Sequence, residues 1–518
     1  MKWKVHKLAQ ITVNEILTLL NEHHLLLDSQ FSSLSYSFDQ IAYNSKLVTE
    51  NCLFFCKGNF KAAYLDDAQR RGAKAYMSET AYSNAEIPGI IVNNIQKAMS
   101  LVSAAFFGFP QNQLPTIAYT GTKGKTTSAY FTKAILDRTY QRKVALSSTI
   151  NTVVGLEQKD VVKSNLTTPE SLDLFTNMHR AVENGMNHLV MEVSSQAYKK
   201  NRVYGLHYDV GVFLNISPDH IGRNEHPTFA DYLHCKEQLL VNSDTCVLNA
   251  DGTHLTDIYY TAKATTQPDN IYIYGRQRAD QETDYPIDFD YRSVEDSLTE
   301  NQIVLTAITE KAKRLGIDGV YRIGIPGDYN EGNAVASAIT SALMGAKPAD
   351  VAYGLAHTTV PGRMEIYQTQ SHGTIYVDYA HNYGSLHSVL DFLKKQAPNG
   401  KVTVITGSTG DKGIDRREGL GKAISESADQ AYLTTDDPAT EDPKAIAAEI
   451  ADHIDQTRVN LEYIADRKAA ITKAVTESKK GDLVVVAGKG HDNYQKINGQ
   501  NVPYEGDATI VQNLVKGL

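Results

Sequence analysis

The sequence is poor in the features that mark several broad classes of protein. Its four cysteines, Cys52, Cys56, Cys235 and Cys246, are too few for a disulfide scaffold in 518 residues. Their spacing also matches no zinc pattern of two close pairs. No stretch approaches the roughly 18 apolar residues of a membrane-spanning helix. The opening MKWKVHKLAQITVNEILTLL has no uninterrupted apolar run and no small-residue cleavage site, so no signal peptide is expected. A cytoplasmic location with reduced thiols follows as an expectation. There is no excess of positive charge: 51 Lys and Arg against 60 Asp and Glu leave a net charge of -9. Nucleic acid and anionic membrane are therefore not expected partners. Neither an internal repeat nor a low-complexity run interrupts the chain.

What is present suits a globular chain of several domains. Hydrophobic residues make up 42% and charged residues 21%, and the length exceeds the roughly 250–300 residues at which single cores stop growing. Short apolar strands alternate with helical stretches through the middle and the end. Thr116–Thr120, His188–Ser195, Val210–Ser217, Thr245–Ala250, Thr374–Tyr379, Lys401–Gly407, Gln430–Thr435 and Asp482–Ala487 read as strands. Ser385–Lys394, Pro443–Ile454 and Arg467–Glu477 read as helices. This pattern predicts α/β architecture with mostly parallel sheets. GFPQNQLP (Gly108–Pro115) and HTTVPGR (His357–Arg363) are breaks, which divide the chain at residues 1–112, 113–358 and 359–518. The charged segment Tyr274–Gln302 reads as a peripheral strand-and-loop region.

The strongest local signal is TGTKGKTT (Thr120–Thr127), between the apolar strand TIAYT and the helical run SAYFTKAILDR. Glycines in such a loop let backbone N–H groups curl around phosphate oxygens, and the helix N-terminus adds partial positive charge. Gly121, Thr122, Lys123, Gly124, Lys125, Thr126 and Thr127 form the candidate ATP loop. Lys125 is placed to reach the β- and γ-phosphates, and Thr126 to ligate Mg²⁺. The loop is shorter than the general phosphate-loop pattern, with Tyr119 where that pattern has its first glycine. Glu192, after the strand LVMEV, is a candidate Mg²⁺ ligand beside it. Taken alone, His220 reads as a structural histidine and Lys236 as a solvated lysine.

The shortened loop resembles that of the Mur ligase family, and further segments match in the family's order. These are SNLTTPESLDLF (Ser164–Phe175), MEVSSQA (Met191–Ala197), NISPDHI (Asn215–Ile221), YLHCKEQLL (Tyr232–Leu240), GDYNEGNAVAS (Gly327–Ser337), PGRME (Pro361–Glu365), VDYAHN (Val377–Asn382) and GSTGDKGIDRR (Gly407–Arg417). IAYNSKLVTENCLFFCKG (Ile41–Gly58) resembles the uridine-nucleotide region of members that add the third residue of the peptidoglycan stem peptide. There Ser45 lies between Asn44 and Lys46 where the family motif has Asp and Arg.

The resemblance implies three α/β domains: a small N-terminal uridine-nucleotide-binding domain, a central ATPase-like parallel-sheet domain and a C-terminal Rossmann-like domain. It implies an ADP-forming acid–amino-acid ligase that is a monomer and uses ATP and Mg²⁺. A substrate carboxylate attacks the γ-phosphate of ATP, and an amine then displaces phosphate from the acyl phosphate. The carboxylate substrate is UDP-N-acetylmuramoyl-L-alanyl-D-glutamate. Residue by residue, the resemblance makes His220 a second Mg²⁺ ligand and Lys236 an N6-carboxylysine whose carbamate ligates metal. Ser45, Thr167, Thr168, Ser194 and Arg202 become contacts to the UDP substrate. Asn330 and Asn333, which also read as helix-capping residues, become adenine contacts. Arg363, Asp378 and His381 face the nucleotide from the C-terminal domain.

The incoming amine is implied by Asp436–Pro443, DDPATEDP. Members adding meso-diaminopimelate carry Asp-Asn-Pro-Arg here, and the arginine grips the second carboxylate. This chain has Ala439 instead, which points to L-lysine. Asp436, with Asp437 beside it, and Asp492 become partners of the ε-ammonium. Lys412 meets the α-carboxylate, with Arg416 and Arg417 nearby. L-ornithine, one methylene shorter, stays open, since such differences discriminate only about 10–200-fold. The alternatives are ligation of diaminopimelate, a folylpolyglutamate synthase, a zinc-binding amidotransferase subunit and a nucleotide-hydrolysing switch or motor.

Overall fold

A computed structural model describes residues 10–83, 85–219, 221–222, 225–277 and 285–518, without the side chains of residues 295 and 296. Two compact units emerge. The first comprises Met1–Asp290, Ala307–Gly316 and Ala336–Asp350, and the second Tyr291–Thr306, Ile317–Val335 and Val351–Leu518.

The first unit holds two large sheets besides a short pairing of Ile11–Thr12 with Ser37–Phe38. Strands β1 (Leu26–Ser29), β2 (Gln40–Ala42), β3 (Cys52–Phe55), β4 (Ala73–Ser78) and β5 (Gly89–Val92) pair in the order β1-β5-β4-β3-β2. Only β1 runs antiparallel to its neighbour. All four residues of β3, CLFF, are buried, because both faces of this sheet are covered. Leu53 and Phe55 face a core with Met77, Ile90 and Val102 of helix α1 (Ile95–Phe106), while Cys52 and Phe54 face another with Leu65 and Tyr76. A period of two thus divides one apolar run between two cores.

The second sheet carries the nucleotide loop. In this unit it contains β6 (Thr116–Thr120), β7 (Val144–Ser147), β8 (Asn151–Val153), β9 (Val161–Lys163), β10 (His188–Glu192), β11 (Tyr208–Phe213), β12 (Ser243–Asn249) and β13 (Ile271–Arg276), in the order β9-β8-β7-β10-β6-β11-β12-β13. Strand β8 pairs antiparallel with both β9 and β7, and the other pairs are parallel. The chain leaves β6 through helix α2 (Lys125–Thr139), passes over β10 and enters β7, so its later strands return on both sides of β6. Ligand sites form outside the carboxyl ends of strands at such a switch point. Helices α3 (Ser171–Glu183), α4 (Ser195–Lys199) and α5 (Phe229–Val241) follow β9, β10 and β11.

The second unit includes most of β14 (Phe289–Asp296) and β15 (Asn301–Ala307), with β16 (Gly319–Ile323); β14 lies within the charged segment read as peripheral strand and loop, and β15 begins at its end. Helix α6 (Glu331–Leu343) begins here. A six-stranded sheet then has the order β17 (Glu365–Tyr367), β18 (Thr374–Asp378), β22 (Leu483–Ala487), β19 (Val402–Thr406), β20 (Gln430–Leu433), β21 (Asn460–Tyr463). All its pairs are parallel except β17–β18. The α/β reading with parallel sheets holds. The expected strand His188–Ser195 stops at Glu192 because Ser195 opens α4. Val210–Ser217 stops at Phe213.

Candidate active site

The loop after β6 turns on two glycines. Gly121 has φ +152° and Gly124, the N-cap of α2, has φ +87°, conformations that a side chain disfavours. A Cβ at Gly121 would lie 3.1 Å from Leu214 Cβ and 3.3 Å from the Asn215 nitrogen. The loop is tied from β11's end, where Asn215 Oδ1 accepts from the Lys123 amide at 2.9 Å and its Nδ2 donates to the Lys123 carbonyl at 3.1 Å. Tyr119 lies under the loop. Its hydroxyl is within hydrogen-bond distance of Thr132 and Thr340, and burial pushes it up to about 12.

Glu192, fully buried, ends β10 directly beside β6, paired with Tyr119. Neutral groups satisfy its carboxylate. Thr126 Oγ1 donates to Oε1 at 2.9 Å, the Thr149 amide donates to Oε1 at 2.7 Å and Thr149 Oγ1 donates to Oε2 at 3.0 Å. Thr126 and Glu192 are thus brought together as expected, and their hard oxygens fit Mg²⁺. Lys125 Nζ donates to the Gly121 carbonyl at 2.7 Å and the Thr122 carbonyl at 3.3 Å. Lys236 is not a solvated lysine. It is 2% exposed, and its Nζ also donates to the Gly121 carbonyl at 2.7 Å. Burial, then the neighbouring Lys125, holds its pKa well below the usual lysine value. As a free ammonium it has no lone pair for a metal; as a carbamate it has carboxylate-like oxygens. Lys123 is lowered by burial too, and Thr127 is buried. His220 lies outside the described residues.

The candidate substrate contacts continue from Glu192. Thr168 Oγ1 donates to the Glu192 carbonyl at 3.1 Å and accepts from the Ser194 amide at 3.0 Å. The Thr167 hydroxyl lies 3.1 Å from the Thr149 hydroxyl. Arg202 donates to the Thr168 carbonyl at 3.4 Å through Nη1, and Nε and Nη2 reach Glu170 Oε1 at 3.0 and 2.9 Å. Lys57 reaches the other oxygen of Glu170 at 2.5 Å. Ser45 is buried within a 3-10 turn and its hydroxyl bonds Asp67. Close to it, a cavity of about 260 Å³ is lined by Tyr43, Asn44, Leu47, Phe106, Leu172 and Asp173 among others. It shares no residue with the phosphate loop.

In the second unit, Asn330 and Asn333 are buried. Asn330 donates to the Pro326 carbonyl at 2.7 Å, and Asn333 to the Tyr329 carbonyl at 3.3 Å. Asp378 shapes the turn that carries Arg363: its two oxygens accept from the Met364 and Ala380 amides, each at 2.8 Å. Burial pushes Asp378 up, opposed by Arg363. Arg363 lies 5.3 Å over the Tyr379 ring, and His381 Nδ1 is 2.7 Å from the Tyr379 carbonyl. At the ends of β20 and β22, Lys489, 1% exposed at its side chain, binds Asp437 at 2.8 Å and lies 3.8 Å from Asp492. Burial raises Asp436, with Arg467 and Lys489 opposing. Lys412 is exposed. Arg417 does not assist it, because its guanidinium is committed to Glu441 at 2.9 Å and Glu449 at 2.7 Å.

Sequence reading missed Thr149, Asn215, Glu170, Lys57 and Lys489. Glu170, Asn215 and Lys57 lie inside quoted segments, but the partners that give them their roles lie far along the chain.

Residues 119–341 match the Mur ligase middle domain and residues 362–490 the Mur ligase glutamate ligase domain. Over 509 residues, spanning 98% of this chain and 100% of the relative, the sequence is 55% identical to a UDP-N-acetylmuramyl-tripeptide synthetase of Ligilactobacillus salivarius. It is 49% identical over 476 residues, 91% of this chain and 90% of the relative, to the UDP-N-acetylmuramoyl-L-alanyl-D-glutamate--L-lysine ligase of Enterococcus faecalis. The fold is similar to a solved UDP-N-acetylmuramoyl-L-alanyl-D-glutamate--2,6-diaminopimelate ligase, with TM-score 0.65 and 24% identity, covering 98% of this chain and 99% of that one. With the glycine loop, the buried Glu192 and the two lysines on one carbonyl already in place, these matches establish that the chain belongs to the Mur ligase family.

Proposed function

We propose that the chain is an ATP-dependent ligase joining L-lysine to the D-glutamate of UDP-N-acetylmuramoyl-L-alanyl-D-glutamate, a step of peptidoglycan precursor synthesis. The observation that carries this reading is the convergence of Lys125, Lys236, Thr126 and Glu192 at the carboxyl end of β6. The first chemical step brings a carboxylate onto the γ-phosphate, so two anions must be neutralised together. Phosphoryl transfer asks the protein for positioning and positive charge. Lys125 and the amides of α2's first turn supply charge to the phosphates. Thr168, Ser194 and Arg202 orient the substrate carboxylates, and Glu170 and the Thr168 carbonyl fix the guanidinium's plane. Lysine's amine then attacks the acyl carbon and phosphate leaves.

Thr126, Glu192 and the carbamate of Lys236 would hold Mg²⁺, which supplies further neutralisation of phosphate charge. The depressed Lys236 favours this modification: its neutral amine adds to CO2 with loss of a proton. Asp436 and Asp492 receive the ε-ammonium and Lys412 the α-carboxylate, while Ala439 leaves no guanidinium for a second carboxylate. Ser45 and the cavity beside it suit the nucleotide end of the substrate. Division at residues 112 and 358, a monomeric state and a cytoplasmic location belong to the same reading. Among the described residues no helix is long and apolar enough to cross a membrane.

The test is phosphate release from ATP with Mg²⁺, the UDP-muramoyl dipeptide and a panel of amino acids. Release should depend on lysine. Dependence on diaminopimelate or ornithine sinks the specificity, and release with none sinks the ligase. Lys236→Ala should be inactive and partly rescued by short carboxylates; a variant that stays active shows that Lys236 holds no metal.

A further inference from the structure

One buried side chain beside this site has no part in the chemistry above. His226 is 0% exposed. Its Nδ1 lies 2.6 Å from Asp231 Oδ2 at the start of α5, and its Nε2 lies 2.9 Å from Ser195 Oγ, the first residue of α4. Lys199, and then His226, hold the Asp231 carboxyl below the usual range, with Lys199 2.9 Å away. An ionised carboxylate only accepts, so Nδ1 carries a proton and donates it. On the ring's other side Nε2 lies within hydrogen-bond distance of the Ser195 hydroxyl, so the imidazole bridges Asp231 and Ser195.

The order Ser–His–Asp is that of hydrolytic triads. Burial decides against that use, since Ser195 is 3% exposed and offers no approach to an acyl group. A metal centre is also disfavoured. Cys235, His226 and Asp231 offer ligand atoms within 4.8 Å of one another, but both ring nitrogens are engaged and Lys199 stands where a cation would go.

What the three residues do is mechanical. Ser195 adjoins Ser194, whose amide is tied to Thr168. On the other side the His226 ring packs edge-on against Tyr232 at 5.1 Å. The Tyr232 hydroxyl is 3.1 Å from Thr122 of the phosphate loop, and Lys236 Nζ lies 4.7 Å from the Tyr232 ring centroid. We infer that the Ser195–His226–Asp231 relay is a strut, with His226 its positioning residue, that sets the offset between the Ser194 turn and the helix bearing Lys236. It thereby places the substrate carboxylate relative to the phosphate loop. The inference rests on the ligase reading for what those two ends bind.

Two replacements separate the two bonds. An asparagine amide overlays Nδ1, and a glutamine amide overlays Nε2. His226→Asn should keep the Asp231 bond, lose the Ser195 bond and raise KM for the UDP-muramoyl dipeptide about tenfold, with KM for ATP within about twofold. Ser195→Ala should do the same, and the double variant should be no worse than either single one, as coupled sites require. His226→Gln, keeping the other bond, should lose kcat through α5. If His226→Asn does not fold, the smaller Ser195→Ala change carries the test. The strut is overturned if the dipeptide KM and kcat are unchanged while the thermal midpoint falls, or if ATP and dipeptide KM rise together. Labelling of Ser195 by a fluorophosphonate, or one tightly held zinc lost in His226→Asn, also overturns it. A wild-type protein inert toward the dipeptide with every amino acid sinks the ligase reading instead, and this inference with it.

Discussion

The carboxyl end of β6 and the carboxyl ends of β20 and β22 both concentrate charge, but they are compensated in opposite ways. At β6, Glu192 is satisfied by neutral threonines, while Lys125 and Lys236 share one carbonyl oxygen and repel each other. There Lys125 meets the loop's carbonyls, while burial and Lys125 itself disfavour the charged form of Lys236. At β20 and β22, the carboxylates already hold cations of the chain: Lys489 sits on Asp437 and beside Asp492, and Arg467 pairs with Asp507. In a site for anions the ligand itself brings much of the opposing charge. A site for an ammonium must keep several acids apart and ionised, and internal cations do this. On the proposed reading an incoming lysine would meet Asp436, on which Arg467 and Lys489 act through space.

The sharpest way to break this contrast is at β6. Glu192→Ala or Lys125→Ala should lower lysine-dependent phosphate release by about 10³-fold, the upper range for removing a preorganised electrostatic group. A loss under tenfold would move the chemistry elsewhere. Next is the buried pair of the C-terminal sheet, whose side chains are both 0% exposed. Arg467→Leu strands Asp507 and should cost about 3–5 kcal/mol, read as a fall in the unfolding midpoint in urea. Little change would mean that water reaches Asp507. A smaller effect is expected from Asp436→Asn, which should raise KM for lysine about tenfold and leave KM for ATP alone. Equal shifts in both would take Asp436 out of amine recognition.

The smallest effect is in pH. Burial raises Asp436 above the usual carboxylate range. Its folded pKa exceeds its unfolded one, so its contribution to stability is fully present below the unfolded pKa and is lost as pH rises through the folded pKa. The ionised form binds ammonium, so KM for lysine should fall as pH rises through the same window. In Asp436→Asn that slope should vanish; a slope that persists assigns it to another group.

Legibility in the sequence followed the range of each interaction. The glycine loop was readable because strand, turn and helix are contiguous, and Glu192 because an apolar strand ends at it. The charged segment read as strand and loop without strand bounds, because β14, FDYRSVED, mixes its apolar residues with acids and an arginine. Arg417 looked available for substrate beside Lys412, but the chain brings Glu441 and Glu449 onto it. Lys489 carried no signal at all, because its partners lie 52 residues earlier at Asp437 and three later at Asp492.

The sequence by itself determined the α/β class, the position of the phosphate loop and the family, since these rest on local periodicity and on motifs a few residues long. Only the tertiary structure decided that Lys236 is buried with a depressed pKa, that Glu192 is held by Thr126 and Thr149, and that Ser195, His226 and Asp231 form one relay. Burial and charge neighbours are properties of packed surfaces, and residues as far apart as Gly121 and Lys236 acquire them only when parallel strands set their carboxyl ends side by side.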